Sequence, residues 1–280
     1  MKSETRRLLF NKYTILSFVL LFLLLFLSYG IDSGVLHSVL HFNSADWPYT
    51  LSEYLHIITS FESYAQLGFR FVQMIAPVFP AIVIIPFLNE LKTLPMVYTR
   101  KQSYKNAVLP KIVKCLLAGS LSLFLADVCY LLIGWLWLGM PANPGHAELF
   151  SEILGKNFYE QHMFWFFVIQ DFLRFFVFPL VYGLFGISIA FLTSKKHLCV
   201  LIPVAYYTIL SLIFACLNSA FSGFDFFYFS PSYTLMSTAR PYINGFLIIA
   251  PLLPVLLFSL AVIIREFVKK HTRGDVLAAS

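Results

Sequence analysis

Charge is scarce in this chain. Only 12% of its 280 residues are Asp, Glu, Lys or Arg, while 59% are hydrophobic and the mean hydropathy is +0.78. Soluble domains carry about 25% charged residues, so an ordinary soluble globular body is excluded. Cysteine is sparse as well. Cys115, Cys129, Cys199 and Cys216 form no CxxC pair and all lie in or beside apolar stretches. No extracellular disulfide framework can be built from them, and they read as small packing residues. Signatures of chemistry are missing too. There is no GxxxxGK[ST] phosphate loop, no HExxH and no GxSxG elbow, and no histidine lies deep in an apolar stretch. Nucleotide binding by a phosphate loop, intramembrane metalloproteolysis and elbow-serine hydrolysis therefore lack their parts. Aspartyl chemistry would need paired carboxylates without a neutralising arginine. An enzyme is not the expectation, and no catalytic, cofactor-binding or metal-ligating residue is assigned.

What is present is apolar length. Six stretches, at about 14–30, 71–88, 112–139, 162–192, 198–217 and 243–264, are each long enough to cross a hydrocarbon core. That takes roughly 20 helical residues. They leave no room for a second folded domain, so 1–280 is expected to be one all-α, polytopic membrane domain of six transmembrane helices. Charge sets the orientation. With the N-terminus placed in the cytoplasm, sixteen Lys and Arg side chains fall inside, and only Arg70, Lys156 and Arg240 fall outside. This positive-inside bias puts both termini in the cytoplasm. Trp47, Trp135, Trp137 and Trp165 fall outside or at outer span ends, as an interfacial belt would. The basic start and first apolar run resemble a secretory signal, but no small-x-small site follows. The first stretch is thus expected to stay as a span.

The connecting segments differ in character. The basic start, with Arg6, Arg7 and Lys12 near Leu8, Leu9 and Phe10, fits either an amphipathic helix on the inner leaflet or a solvated tail. In the outer loop 31–70, Leu51, Tyr54, Leu55, Ile58 and Phe61 recur at helical spacing and predict a short amphipathic helix. His37 and His41 stand four apart there, with His56 nearby, but metal binding needs a further placed ligand and surface histidines are the better reading. Prolines at 77, 80 and 86 kink the second span, and bent helices occur in moving and static bundles alike.

The inner loop 89–111 is far longer than a polar turn requires. It carries Glu90 and Lys92, then Tyr98, Arg100, Lys101 and Lys105, and ends at Pro110-Lys111. The part around 98–109 predicts a short helix with Tyr104 and Val108 on one face. Such an element can dock in a groove of a soluble partner, with apolar anchors for affinity and charges for orientation.

Ionisable groups also occur inside the spans. Asp127 lies in the third, and Asp171 and Arg174 in the fourth. Such groups are costly in a bilayer and either pair or face a polar cavity. Asp171 and Arg174 are three apart on one helix face. Counting from the outer span ends at about 1.5 Å per residue puts Asp127 and Arg174 at a similar depth, about 18 Å down. Arg174 is thus expected to be neutralised by Asp171, by Asp127 or by both. A buried ionic tie is the favoured reading, and a polar lining of a substrate path is the alternative. Between the last two stretches, the run 218–242 holds Phe221, Phe224, Phe226, Phe227, Tyr228, Phe229 and Tyr233, broken by Gly223, Asp225 and Pro231. It is too apolar for free solvent and too interrupted to span. A re-entrant or interfacial hairpin fits, serving as an outer cap or as an aromatic anchor.

The basic start, six spans with both ends inside, the long loop between Glu90 and Lys111, and the FSPSY hairpin together resemble the membrane subunits of ABC transporters of the type-2 exporter class. The likeness is one of pattern over essentially the whole chain. It implies a cell-membrane permease of bacterial type that pairs with a second copy or a paralogue and with separate ATPase subunits. Those subunits would bind the ATP and Mg, leaving this chain without cofactor and without nucleic-acid partner. It implies that Glu90, Tyr98, Arg100, Lys101 and Lys105 face the ATPase, and that Phe224, Phe227, Tyr228 and Tyr233 line an outer gate. Relatives often carry a Gly-Thr pair after the acid, whereas this chain has Lys92-Thr93-Leu94-Pro95. The rival readings are a secondary transporter using Asp127 or Asp171 as a proton or sodium site, and a membrane-embedded enzyme.

Overall fold

The structure, a computed structural model, describes residues 11–32, 59–91, 104–138, 156–193, 195–221, 226–235 and 249–278. Every element among them is helical. In chain order they are α1 (Lys12–Asp32), α2 (Phe61–Ile75), a 3-10 turn (Ala76–Val78), α3 (Pro80–Leu91) and α4 (Tyr104–Trp137). Then come α5 (Lys156–Gln161), α6 (Met163–Asp171), a π-helical segment (Phe172–Val177), α7 (Phe178–Leu192) and α8 (Lys196–Ala220). Two 3-10 turns (Phe226–Phe229 and Pro231–Leu235) and α9 (Leu252–Ala278) complete the described chain. The runs Lys12–Ile31, Phe61–Leu91, Tyr104–Trp137, Met163–Leu192 and Lys196–Ala220 are long and apolar enough to cross a membrane. They mark the chain as a multi-pass, membrane-embedded protein. The expected sixth stretch is met only from Leu252 on. Residues 236–248 lie outside the described residues, and Arg265, Glu266 and Lys269 load the far end of α9 with charge.

Several boundaries move. The second span starts at Phe61 rather than at residue 71, so Arg70 sits inside a helix and not at the end of an outer loop. Ser60 caps it, its hydroxyl accepting from the Ser63 N–H. Hydropathy fades over Glu62, Gln66 and Arg70, but the cap and the inward-facing Phe61, Tyr64, Ala65 and Phe69 carry the helix through. The third span starts at Tyr104, eight residues ahead of the stretch expected from 112. Of the helix expected over 98–109, the part from Tyr104 on is the first turns of this span, and 98–103 lie outside the described residues. The other part of the predicted outer amphipathic helix, and the histidines at 37, 41 and 56, lie outside the described residues, as does the chain before residue 11.

Prolines explain where the spans bend. Pro77 lies within the Ala76–Val78 turn and Pro80 opens the helix after it, each lacking an N–H and crowding the carbonyl four residues back. The widened π turn likewise stands just ahead of Pro179. The centre of the bundle is α3 against α4 and α7. Small residues let these backbones approach closely, the means by which membrane helices pack without a hydrophobic drive between them. A Cβ at Gly119 would meet a Val83 methyl at 2.6 Å, one at Gly183 would meet the other at 2.9 Å, and one at Gly186 would strike Ile84 and the Cys199 carbonyl. At the rim α1 and α8 expose Leu16, Leu20, Leu23, Leu201, Ile209 and Leu212, the apolar surface a bilayer would cover.

The two ends of the bundle differ. At one, the Asn89 amide donates to the Tyr13 hydroxyl (3.3 Å), Lys111 meets Glu90, and Tyr104 lies edge-on to Phe267. At the other, Trp135 packs on Phe61 and Phe164, with Trp137 and Trp165 largely exposed.

Candidate functional site

The foot of the basic loop is held by one lysine. Lys111 of α4 places its Nζ 3.0 Å from the Glu90 Oε2 and donates to the Glu90 backbone carbonyl at 3.2 Å. Both sit at one end of the bundle, Glu90 in the last turn of α3, so the two ends of the loop are joined at its neck. Lys105 projects from the first turn of α4 and is exposed. Tyr98, Arg100 and Lys101 lie outside the described residues. One part of the docking picture changes. Tyr104 and Val108 do share a face, but Val108 is fully buried in the bundle and Tyr104 is half-buried against Phe267. Neither is free to anchor a partner, because α4 uses that face for its own core. Leu109, 39% exposed, and Val268, 60% exposed, are among the apolar side chains left outside at this end.

The second constellation is in the bundle interior. Asp127, Asp171 and Arg174 are 2%, 1% and 3% exposed. Arg174 Nη1 donates to Asp171 Oδ1 at 2.6 Å across the junction of α6 and the π segment. Its guanidinium also lies over the Phe69 ring, 4.3 Å from the centroid, so α2 supplies an aromatic floor for the charge. Asp127 comes from α4 within electrostatic reach of both Asp171 and Arg174. Its Oδ2 has no hydrogen-bond partner among the described residues. The group thus gathers one guanidinium and two carboxylates, one of them tightly bonded to it.

A tyrosine pair that the sequence reading overlooked fixes the floor of this group. The Tyr64 hydroxyl donates to the Tyr130 carbonyl at 3.1 Å, and the Tyr130 hydroxyl donates to the Tyr64 carbonyl at 2.8 Å. Their rings stack at 4.1 Å. Each ring lies over a glycine one turn along the opposite helix: Tyr130 over Gly68, and Tyr64 over Gly134. The signal was available as a repeated Tyr-x-x-x-Gly, at 64–68 and 130–134. Asp127 stands three residues before Tyr130, so this clasp sets its height.

The aromatic hairpin is partly described. Phe224 and the side chain of Phe227 lie outside the described residues. Tyr228 stacks edge-on to Tyr233 at 5.6 Å, and Tyr233, Thr234 and Leu235 are buried. The Pro231–Leu235 turn packs against the π segment, and the Phe226–Phe229 turn packs against α8. Ser230 and Ser232 share a hydroxyl contact of 2.7 Å. No three His, Cys, Asp or Glu side chains come together as a metal site among the described residues.

Comparison with protein-family models, with curated proteins and with solved structures finds no counterpart for this chain.

Proposed function

We propose that the chain is the membrane-spanning permease subunit of an ATP-driven exporter of the type-2 ABC class, with six spans and both termini in the cytoplasm. It works with a second copy or paralogue and with separate ATPase subunits that supply the ATP chemistry. The observation that carries this reading is the clamped loop. The Lys111–Glu90 ion pair ties α3 to α4 at the neck of the long basic segment. A push on it is therefore delivered to the two helices that pack around the bundle centre. A shift of the ATPase pair between two states would bias the bundle between two arrangements through this lever. Arg100, Lys101 and exposed Lys105 supply the charge that orients the partner.

The hairpin agrees with an outer, re-entrant element. Its Pro231–Leu235 turn meets the π segment, which begins nine residues into the fourth span, about 14 Å below the Met163 end at 1.5 Å per residue. The test is co-purification. With Arg100→Glu and Lys101→Glu together, recovery of an ATPase subunit on the tagged permease should fall at least tenfold at unchanged permease yield. Unchanged recovery counts against the reading. Asp127 favours the rival: a buried carboxylate oxygen without a hydrogen-bond partner among the described residues suits an ion-coupled transporter. Transport by the purified chain in vesicles under an ion gradient, without ATP, would decide for that rival.

A further inference from the structure

We propose that the cleft between α1 and the second span is a binding site for an acyl chain of an anionic membrane lipid, with the headgroup held at the Lys12 end. The cavity has a volume of about 430 Å³. Its walls are apolar, chiefly Leu16, Leu20 and Leu24 of α1 facing Val78, Ile82 and Ile85. The polar atoms at its edge are already engaged. Ser17 donates to the Thr14 carbonyl and meets Ser122, and Tyr13 receives the Asn89 amide. A polar ligand would find nothing to bond to, so the occupant is hydrocarbon.

The sequence creates this cleft. α1 packs along α2 and α4 but only lightly against α3. The Ala76–Val78 turn, set by Pro77 and Pro80, redirects the second span away from α1 and leaves a wedge between them. The wedge opens sideways, where a bilayer lies, with Leu16, Leu20 and Val78 all at least half exposed. Its length fits one leaflet. Tyr13 to Leu24 is eleven helical steps, about 16 Å at 1.5 Å per residue, against half of a hydrocarbon core of about 30 Å. Charge selects the headgroup. Exposed Lys12 stands at the mouth, its ammonium 5.2 Å from the Tyr13 ring centroid, at the same end of the bundle as Lys105 and Lys111. A phosphate with net negative charge is favoured there over a zwitterion.

The site is independent of what drives any cargo, and its test needs only the purified full-length chain. A photoreactive benzophenone amino acid is placed at position 20 in the cleft, and in a separate protein at position 209 on the exposed side of α8. Each is reconstituted in vesicles of equal phosphatidylglycerol and phosphatidylcholine, irradiated and weighed by mass spectrometry. Position 20 should give adducts at least fivefold richer in phosphatidylglycerol, and position 209 should give the two lipids equally. Lys12→Glu should erase the preference at position 20, and Ile82→Trp, which fills the cleft, should abolish the adduct. Equal capture of both lipids at position 20 would overturn the site in favour of mere annular contact. A crosslinked dimer, or a crosslink within the chain, would overturn it in favour of a protein occupant. The lipid ratio at position 20 in the otherwise unaltered cleft decides the question even where Ile82→Trp does not fold.

Discussion

Arg174 shows how a buried charge is satisfied within its own span and against the aromatic ring of a neighbouring helix. It is buried, bonded to Asp171 at 2.6 Å and backed by the Phe69 ring. Removing one partner of such a pair strands the other charge, which costs about 3–5 kcal/mol, whereas removing both can be nearly neutral. Arg174→Met should therefore depress the thermal midpoint in detergent strongly, by the equivalent of about 3 kcal/mol or more. Arg174→Met with Asp171→Leu should recover most of the loss. Asp127→Asn removes a carboxylate that lacks a bond at Oδ2 and should leave the midpoint unchanged or raise it. If the double variant is no better than Arg174→Met alone, the ionic tie is the wrong account of these residues. Tryptophan fluorescence during heating reads all three, since Trp135 and Trp165 stand at one end of the two spans that carry Asp127 and the Asp171–Arg174 pair.

At the scale of the element, the first turns of α4 separate two roles that lie on neighbouring positions. Val108 points into the bundle beside Phe87 and Ile112, while Lys105 points out. Val108→Asp would bury an unpaired charge, among the few single changes that cost about 4 kcal/mol, and should sharply lower the yield of monodisperse protein. Lys105→Glu lies on the surface and should shift stability by no more than about 0.5 kcal/mol. Any loss of partner binding in Lys105→Glu then reports on docking and not on folding, which gel filtration and thermal melts of both proteins would check. This is also where the sequence was only half legible. Hydropathy finds the apolar centre of each span but stops at the first polar residues. It cut α2 at Arg70 and α4 at 112, although the Ser60 cap and the inward faces continue both helices. The ionic pair was readable because three-residue spacing on one helix needs no partner element. The tyrosine clasp and the wedge beside α1 were not, because each depends on which helices become neighbours.

For the whole molecule, the distribution of charge and indole ring is the organising fact. The helices alternate in direction, so one end collects Lys12, Lys105 and Lys111 and the other collects Trp135, Trp137 and Trp165. In the proposed topology the first end faces the cytoplasm, on the strength of sixteen basic residues against three counted over the segments between apolar stretches. Arg70 on the poorer side and Lys105, Lys111 and Lys114 on the richer side all move from loop into helix without reversing that asymmetry. The proposed orientation decides whether a soluble ATPase can reach the basic loop at all, and it would also place the Lys12 end of the cleft at the leaflet rich in anionic lipid. Thiol labelling tests it directly. In a chain with Cys115, Cys129, Cys199 and Cys216 replaced by serine or alanine, Lys101→Cys should resist a membrane-impermeant maleimide on intact cells and react after permeabilisation. Asn143→Cys, in the segment beyond the tryptophan end, should react without permeabilisation. The reverse pattern would turn the bundle over. It would set the clamped loop outside, where no ATP-hydrolysing partner could grip it, and leave the ion-coupled reading through Asp127 as the better description of how such a bundle is driven.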